Sequence, residues 1–452
     1  MISRLLSTVR SSGALQDLAW LSGANLLVKP AWFLFITAAC MRGLGEVGYG
    51  VFVSALAVAG IAMALTELGV VEYATREIAR APARAPALFT NLMVGRLSLG
   101  AASCGLAAGA VYSFGYSSIS WQSVAFASVY VLCLRAGELC RALYRASDAF
   151  SEDAGSTLIE RLLTIAAGVA ALVGVGTPSG VLGGLAAGAA ASVVLNLAWS
   201  ARRHGALSPA RLDGAFLRRA YAVSLPIGIF ALATTLFHGV GPVLLPSLAS
   251  EAAAGQYGAA WRLVELYMLA PSLVTAVALP RLSRRAGAGD ASGFRSVLTR
   301  SAAGLGAGAL VVALATAVGA PFIIRLMAGQ ADFSETAGLL RVLAFAFPLM
   351  SLSMLFSASL IADGRQWVVA VITAAAALAH GAACAVTIPA FGAAAVAFAM
   401  VGTYAAVVVV AGWVLIARPP PPAIADHADP EPEEPAVHTR AESPRVALGG
   451  RR

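Results

Sequence analysis

Residues 300–328 read RSAAGLGAGALVVALATAVGAPFIIRLMA, and this stretch decides the fold. From Ser301 to Ile324 no side chain carries a charge, and Arg300 and Arg325 mark the two ends. A run of about 20 apolar residues is long enough to cross the hydrocarbon core of a bilayer. It must do so as a helix, because lipid offers no partner to backbone N–H and C=O groups. Gly304, Gly306 and Gly308 are small enough to let a neighbouring helix approach closely.

Outward from this segment the pattern recurs along the chain. About twelve apolar stretches are expected, near residues 15–41, 47–71, 87–112, 120–144, 155–177, 180–200, 220–246, 253–280, 300–328, 336–361, 366–388 and 392–417. The 452 residues are 59% hydrophobic and only 12% charged, with a mean hydropathy of +0.80. A soluble domain carries about 25% charged residues. No polar stretch between the spans is long enough to fold alone. Residues 1–14 are polar and arginine-bearing and do not read as a cleavable signal.

The basic residues are sorted along the chain. Arg76, Arg80 and Arg84 follow the second span, Arg141 and Arg145 the fourth, and Arg202, Arg203, Arg211, Arg218 and Arg219 the sixth. The same side receives Arg281, Arg284, Arg285, Arg295, Arg300 and Arg365, along with both termini. In all, twenty-three of the 31 basic residues fall on that side, two (Arg42 and Arg325) on the other, and six within spans. Cytoplasmic loops carry the excess of Lys and Arg. The expected topology is a multi-pass protein of a bacterial inner membrane with both termini cytoplasmic.

The net charge of +8 therefore belongs to helix ends that meet anionic lipid, and does not point to nucleic acid. Cys40, Cys104, Cys133, Cys140 and Cys384 lie in apolar stretches without metal-ligand spacing, and read as small buried hydrophobes. No metal or cofactor motif is visible. A proline run, Pro419–Pro422, and an acidic patch from Asp426 to Glu434 mark the tail as disordered.

Gly48-Tyr49-Gly50 opens the second span and Gln256-Tyr257-Gly258 the eighth, 208 residues later; the same offset carries Arg76 onto Arg284. An even number of spans per half preserves orientation, so two parallel repeats are expected, packed face to face around a central cavity. The fold class expected is thus all-α integral membrane, about twelve transmembrane helices in two six-helix bundles. The boundaries are a cytoplasmic N-terminus (1–14), a first bundle (15–200), a cytoplasmic linker (201–219), a second bundle (220–417) and a disordered cytoplasmic tail (418–452).

The stretch Leu44-Gly45-Glu46-Val47-Gly48-Tyr49-Gly50-Val51-Phe52, followed by Glu67-Leu68-Gly69-Val70 and Arg76-Glu77, resembles the second helix of bacterial oligosaccharide flippases. Gly255-Gln256-Tyr257-Gly258-Ala259-Ala260-Trp261-Arg262-Leu263 is similar to the start of that family's eighth helix. Leu339-Leu340-Arg341-Val342-Leu343-Ala344 with Pro348 is similar to its tenth, and Ile388-Pro389-Ala390-Phe391-Gly392-Ala393-Ala394-Ala395 to the loop entering its twelfth. The resemblance implies alternating-access transport of undecaprenyl-pyrophosphate-linked oligosaccharide repeat units, for surface polysaccharide export. It implies the bilayer as environment and a polysaccharide polymerase or export machinery as partners. The superfamily also holds the lipid II flippase and multidrug/toxin extrusion antiporters. Many relatives place an aspartate in the seventh helix; here Phe237-His238-Gly239-Val240-Gly241-Pro242 offers no carboxylate.

A charge inside a span is expensive, about 2.5–3.5 kcal/mol at mid-membrane on insertion scales, and so marks a candidate site. Lys29 sits mid-span beside Pro30, four residues after Asn25. It is expected either to contact pyrophosphate or to pair with a carboxylate such as Glu67. Arg262 has Glu265 at i+3. The pair is either a phosphate or sugar site with an oriented guanidinium, or a self-masking ion pair. Arginine suits phosphate because its planar fork donates two parallel hydrogen bonds. Arg341, near the same membrane face, is a further substrate-binding candidate. Glu67 and His238 are candidates for coupling to an ion or proton gradient. Arg135 with Glu138 reads as a salt-bridged helix end, and Arg96 and Arg161 as snorkelling residues.

Two other functions remain to be weighed. A multidrug/cation antiporter wants an acidic cavity, and the basic excess within the spans argues against it. A membrane enzyme needs a substantial catalytic loop; the loops on the arginine-poor side are short, and no phosphate loop or nucleophile–base pair is present.

Overall fold

The computed structural model describes residues 30, 32–67, 69–113, 120–205 and 213–417. Asn25 and Lys29 lie outside the described residues, as do the expected N-terminal segment, residues 206–212 of the linker and the 418–452 tail. Ten helices among the described residues are long and apolar enough to cross a membrane. Two of these runs contain a bend. In Ala39–Glu67 the bend is at Gly45, whose φ of 66° separates the end of the first span from the second. In Gln366–Ala417 it is at Gly392, with φ 55°. Glycine adopts this left-handed backbone without a Cβ clash. Arg365 Nη1, just before that run, donates to the carbonyl of Val414 near its end at 3.4 Å, so the run doubles back and supplies two spans. With these bends the described residues show eleven complete spans and the end of a first.

Capping residues set several helix starts. Ser120, Thr177, Asp213, Ser250 and Asp290 each accept a backbone N–H of the first turn of the fourth, sixth, seventh, eighth and ninth spans. Such a cap contributes about 1 kcal/mol. Beside Asp290, the N–H of Gly293, then Arg285 and Ser292, hold the carboxyl below the usual carboxylate range.

The second span is shorter than its hydropathy suggests. It ends at Glu67 rather than 71, because Gly69 turns the chain at φ 74°. Val70–Arg80 then forms a separate amphipathic helix that buries Val70, Tyr73, Ala74 and Ile78 and exposes Arg76 and Arg80. The eighth span is longer than expected. It runs from Glu251 to Gly287, with a break between Tyr267 and Leu269.

The spans pack as two bundles. In the first, the sixth span lies on the fourth and fifth, and the second on the third and fourth. In the second, the seventh span packs on the eleventh–twelfth run, the ninth on the tenth, and the inner half of the eighth, Leu269–Gly287, on the ninth and tenth. The bundles meet chiefly where the second span lies against the seventh and eighth. Large apolar side chains such as Val173, Val318, Leu378 and Trp413 point outward, uncovered by protein, as lipid-facing residues do.

Candidate functional site

Two prolines show how the sequence builds the bundle interface. The carbonyl of Pro242 would normally accept from residue 246, but Pro246 has no N–H. Ser54 Oγ of the second span supplies the missing donor at 2.7 Å. The bond is buried, crosses from one bundle to the other, and keeps the two helices in fixed register above the cavity.

Closer to the arginine-poor end the bundles are sealed. Gly50 and Gly255 face each other where the second and eighth spans cross. The Gln256 side-chain amide donates to the Glu46 carboxylate, and its carbonyl accepts from Thr336 N at 3.0 Å. Arg42 donates to the carbonyls of Met327 and Leu326 at 2.9 and 2.6 Å. The ring of Tyr49 meets that of Phe333 edge-on.

Beneath this seal lies a cavity of about 730 Å³. Both bundles line it: Trp32, Tyr130, Arg135, Glu138 and Arg161 from the first, and His238, Trp261, Arg262, Glu265 and Ser272 from the second. Its wall carries three arginines against two glutamates. Arg161 and Arg262 come from opposite bundles, and both stack on Trp32, at 5.7 and 5.8 Å from the ring centroid. Arg262 Nη1 donates to Glu265 Oε2 at 2.8 Å. Glu265 is half exposed, so the pair leaves part of the guanidinium fork open to the cavity. Arginine with an aromatic face beside it combines cation–π contact with donors suited to phosphate.

Arg135 is held by two carboxylates, Glu67 at 3.1 Å and Glu138 at 3.0 Å. His238 Nε2 lies 2.6 Å from the hydroxyl of Tyr404. The imidazole stacks on Phe237 and tilts against Trp261. Among the described residues no group of three His, Cys, Asp or Glu side chains could hold a metal ion, and the five cysteines are free thiols.

The structure thus brings Arg262, Glu265 and His238 to one cavity. Glu67 stands behind its wall, paired with Arg135. Arg341 stands apart from them: it is exposed, donates from Nε to the carbonyl of Ala317 at 3.3 Å, and does not line the cavity. Its segment, Thr336–Ala344, packs on the ninth and eighth spans, and Arg341 stands on the face that is left exposed. Asn25 and Lys29 lie outside the described residues. Sequence reasoning undervalued Arg161, Arg135 and Trp32. In the expected span 155–177 Arg161 sits near an end, where snorkelling is the ordinary expectation, whereas the helix runs Phe150–Gly174 and holds it near the middle. Only the packing of the fifth span reveals that its guanidinium turns inward to Trp32.

A family model described as "Polysaccharide biosynthesis protein" matches residues 14–285, and one described as "MatE" matches residues 226–386. Among solved structures, the chain is similar to an inward-facing multidrug resistance MATE family transporter of the MOP superfamily. The TM-score is 0.70 at 14% identity, over 86% of this chain and 96% of that one. It is also similar to the lipid II flippase MurJ in an inward closed conformation, with TM-score 0.64 and 14% identity over 87% of each chain. A MOP superfamily transporter from Pyrococcus furiosus, described as having a binding pocket of reversed polarity, aligns with TM-score 0.57 and 14% identity over 87% of this chain and 92% of that one. No curated protein matches by sequence. At these identities the structural likeness speaks for the fold alone, two bundles of membrane-spanning helices.

Proposed function

We propose that this chain, which belongs to the polysaccharide biosynthesis protein family, is a flippase for an oligosaccharide linked to a polyprenyl pyrophosphate. Family and fold place it among transporters rather than enzymes. The observation that carries the finer reading is the stacking of Arg161 and Arg262 on one tryptophan, inside a cavity shared by both bundles. A pyrophosphate crossing the bilayer loses its hydration and needs fixed positive charge and directed donors in return. The two arginines supply both, and because they belong to different bundles the headgroup bridges the parts that must move against each other.

In this reading the arginine-rich end is cytoplasmic, as the positive-inside rule directs, with both termini on that side of a bacterial inner membrane. The sealed end is then periplasmic. Substrate enters from the cytoplasmic leaflet with its prenyl tail left in lipid, and is released after the seal parts. Lys29 and Asn25 belong to the same proposed headgroup site through their place in the first span, close in sequence to Trp32. His238 is the residue proposed for coupling.

The test is complementation of a flippase-deficient strain together with binding of undecaprenyl pyrophosphate by the purified chain. Wild type should support both; Arg161→Ala with Arg262→Ala should insert normally and support neither. Binding and complementation that survive in the double variant defeat the proposal. A second reading, a multidrug/cation antiporter, draws on the MatE match and the MATE neighbours. Efflux of cationic dyes from a sensitised strain that depends on Glu138 and Glu265 would favour it.

A further inference from the structure

Arg96 of the third span is the largest fully buried side chain among the described residues. Its Nη1 donates to the backbone carbonyl of Arg135. Its Nε and Nη2 have no hydrogen-bond partner among the described residues. Leaving donors of a buried guanidinium unpaired is costly, so this arrangement calls for an explanation.

The vacant atoms point to a definite kind of partner. Nε and Nη2 form the side edge of the guanidinium, the edge that binds a carboxylate through two parallel bonds. The charged groups that act most strongly on Arg96 are Glu138 and Glu67. Both are at present engaged by Arg135 Nη1. Arg135, unlike Arg96, lines the cavity. Arg135 thus bonds both carboxylates, while Arg96, on which the same two carboxylates act, bonds neither.

We propose that Arg96 is a reserve partner for these carboxylates, so that Arg135 is released into the cavity as a third anion-binding arginine when a pyrophosphate headgroup arrives. The inference rests on the headgroup reading of the cavity given above. No proton or covalent bond moves; the step is an exchange of ion pairs. Before binding, Glu67 and Glu138 mask Arg135. Afterwards Arg135 faces the phosphate oxygens and at least one carboxylate takes up the side edge of Arg96, so no carboxylate is left without a cation. Headgroup binding and carboxylate transfer therefore favour each other, as linkage requires. The masking also gives selectivity. An empty cavity does not present a bare third cation to small anions, and only a ligand strong enough to displace the carboxylates recruits it.

The experiment is calorimetric titration of the purified full-length chain in detergent with farnesyl pyrophosphate as the probe, alongside its melting curve. Arg96→Met should bind about tenfold more weakly than wild type, within the usual range of coupling energies. Adding Glu67→Gln and Glu138→Gln to that variant should restore affinity to the wild-type level or above it, because no carboxylate then needs a new partner. Arg135→Gln should also bind weakly, and the two glutamine substitutions should not rescue it. Wild-type affinity in Arg96→Met, or failure of the rescue, overturns the proposal and leaves the cavity reading standing. If wild type itself does not bind the probe, both fall. Should Arg96→Met fail to fold, Glu67→Gln with Glu138→Gln in the otherwise unchanged chain decides: about tenfold tighter binding is expected, and unchanged affinity refutes the exchange.

Discussion

Gly50 and Gly255 face each other so closely that a Cβ on either would run into the main chain of the opposing helix. A Cβ on Gly50 would lie 3.0 Å from the backbone nitrogen of Gly255, and one on Gly255 would lie 3.0 Å from that of Gly50. The carbonyl oxygens of Glu251 and Glu46 would be closer still. These neighbours are main-chain atoms, which have no rotamer by which to move aside. The seal at the arginine-poor end is therefore a backbone-to-backbone crossing, and it closes only while both positions lack a side chain.

One methyl group at either glycine should hold the crossing apart. Gly50→Ala and Gly255→Ala are expected to fold and insert, yet to favour the conformation open at the arginine-poor end. A cysteine placed at Val53, which lines the cavity below the crossing, should then react several-fold faster with a membrane-impermeant maleimide added from that side, a shift of about 1 kcal/mol or more. Unchanged labelling in both variants would show that the crossing yields without opening.

Arg161 and Arg262 should each contribute to ligand affinity, and in a coupled manner, because they share Trp32 and one proposed ligand. A hydrogen bond to a charged group is worth about 1.5–3 kcal/mol, so each single alanine variant should weaken binding of undecaprenyl pyrophosphate by roughly ten- to a hundredfold. Arg341→Ala should stay within about twofold of wild type, since its guanidinium faces away from the cavity. Equal losses in all three would mean a general charge effect rather than a site.

The contrast between Arg262 and Arg341 shows where a sequence stops being informative. Both stand in apolar helices near the arginine-poor end, and linear position gives them equal standing. What separates them is which face of its helix each one stands on once the bundle is packed: Arg262 lines the cavity, while Arg341 is exposed and bonds the carbonyl of Ala317. The number of spans was legible because hydropathy and arginine spacing are one-dimensional signals. The Tyr49/Tyr257 repeat was legible for the same reason, and it marks the two helices whose glycines meet. The meeting of Arg161 and Arg262 on Trp32 was not legible, because three spans distant in sequence must pack before that ring and those guanidinium groups come together. Gly69 explains the shortened second span. Hydropathy continues across it, and only the left-handed backbone ends the helix.

Ser54 and Pro242 offer a test of the interface itself. Ser54→Ala removes the donor to a buried carbonyl that Pro246 cannot serve, and should cost about 1–3 kcal/mol. Thermal unfolding in detergent should report a lower midpoint. Restoring a main-chain donor with Pro246→Ala in the Ser54→Ala background should recover part of the loss. No recovery would mean that the carbonyl finds another partner.

Within the first bundle, Arg141 Nη1 bonds Glu160 Oε2 at 2.7 Å, with the glutamate almost wholly buried. Removing one partner of such a pair leaves an uncompensated charge and costs about 3–5 kcal/mol. Glu160→Leu should therefore lower the melting temperature strongly, and Arg141→Met with Glu160→Leu should lower it much less. Neither residue lines the cavity, and Glu160 Oε1 lies 3.8 Å from Arg161 Nε, so the double variant should keep ligand binding at the wild-type level or above it. Loss of binding at preserved stability would place this pair in the transport machinery instead.

His238 should separate energy coupling from ligand binding. It lies on the cavity wall, is bonded to Tyr404, and has Glu265 as its charged neighbour, while its own helix contributes no carboxylate. If a proton gradient drives the cycle, imidazole is the group on this wall suited to take up and release the proton. In proteoliposomes, an imposed pH gradient should then accelerate translocation of a fluorescent polyprenyl pyrophosphate by wild type. His238→Phe should bind the lipid normally but respond several-fold less to the gradient. Tyr404→Phe, which keeps the ring and removes the hydroxyl, should show an intermediate response. A full response in His238→Phe would reduce the pair to an interhelical hydrogen bond and direct the search for the driving force to the membrane potential acting on the anionic headgroup.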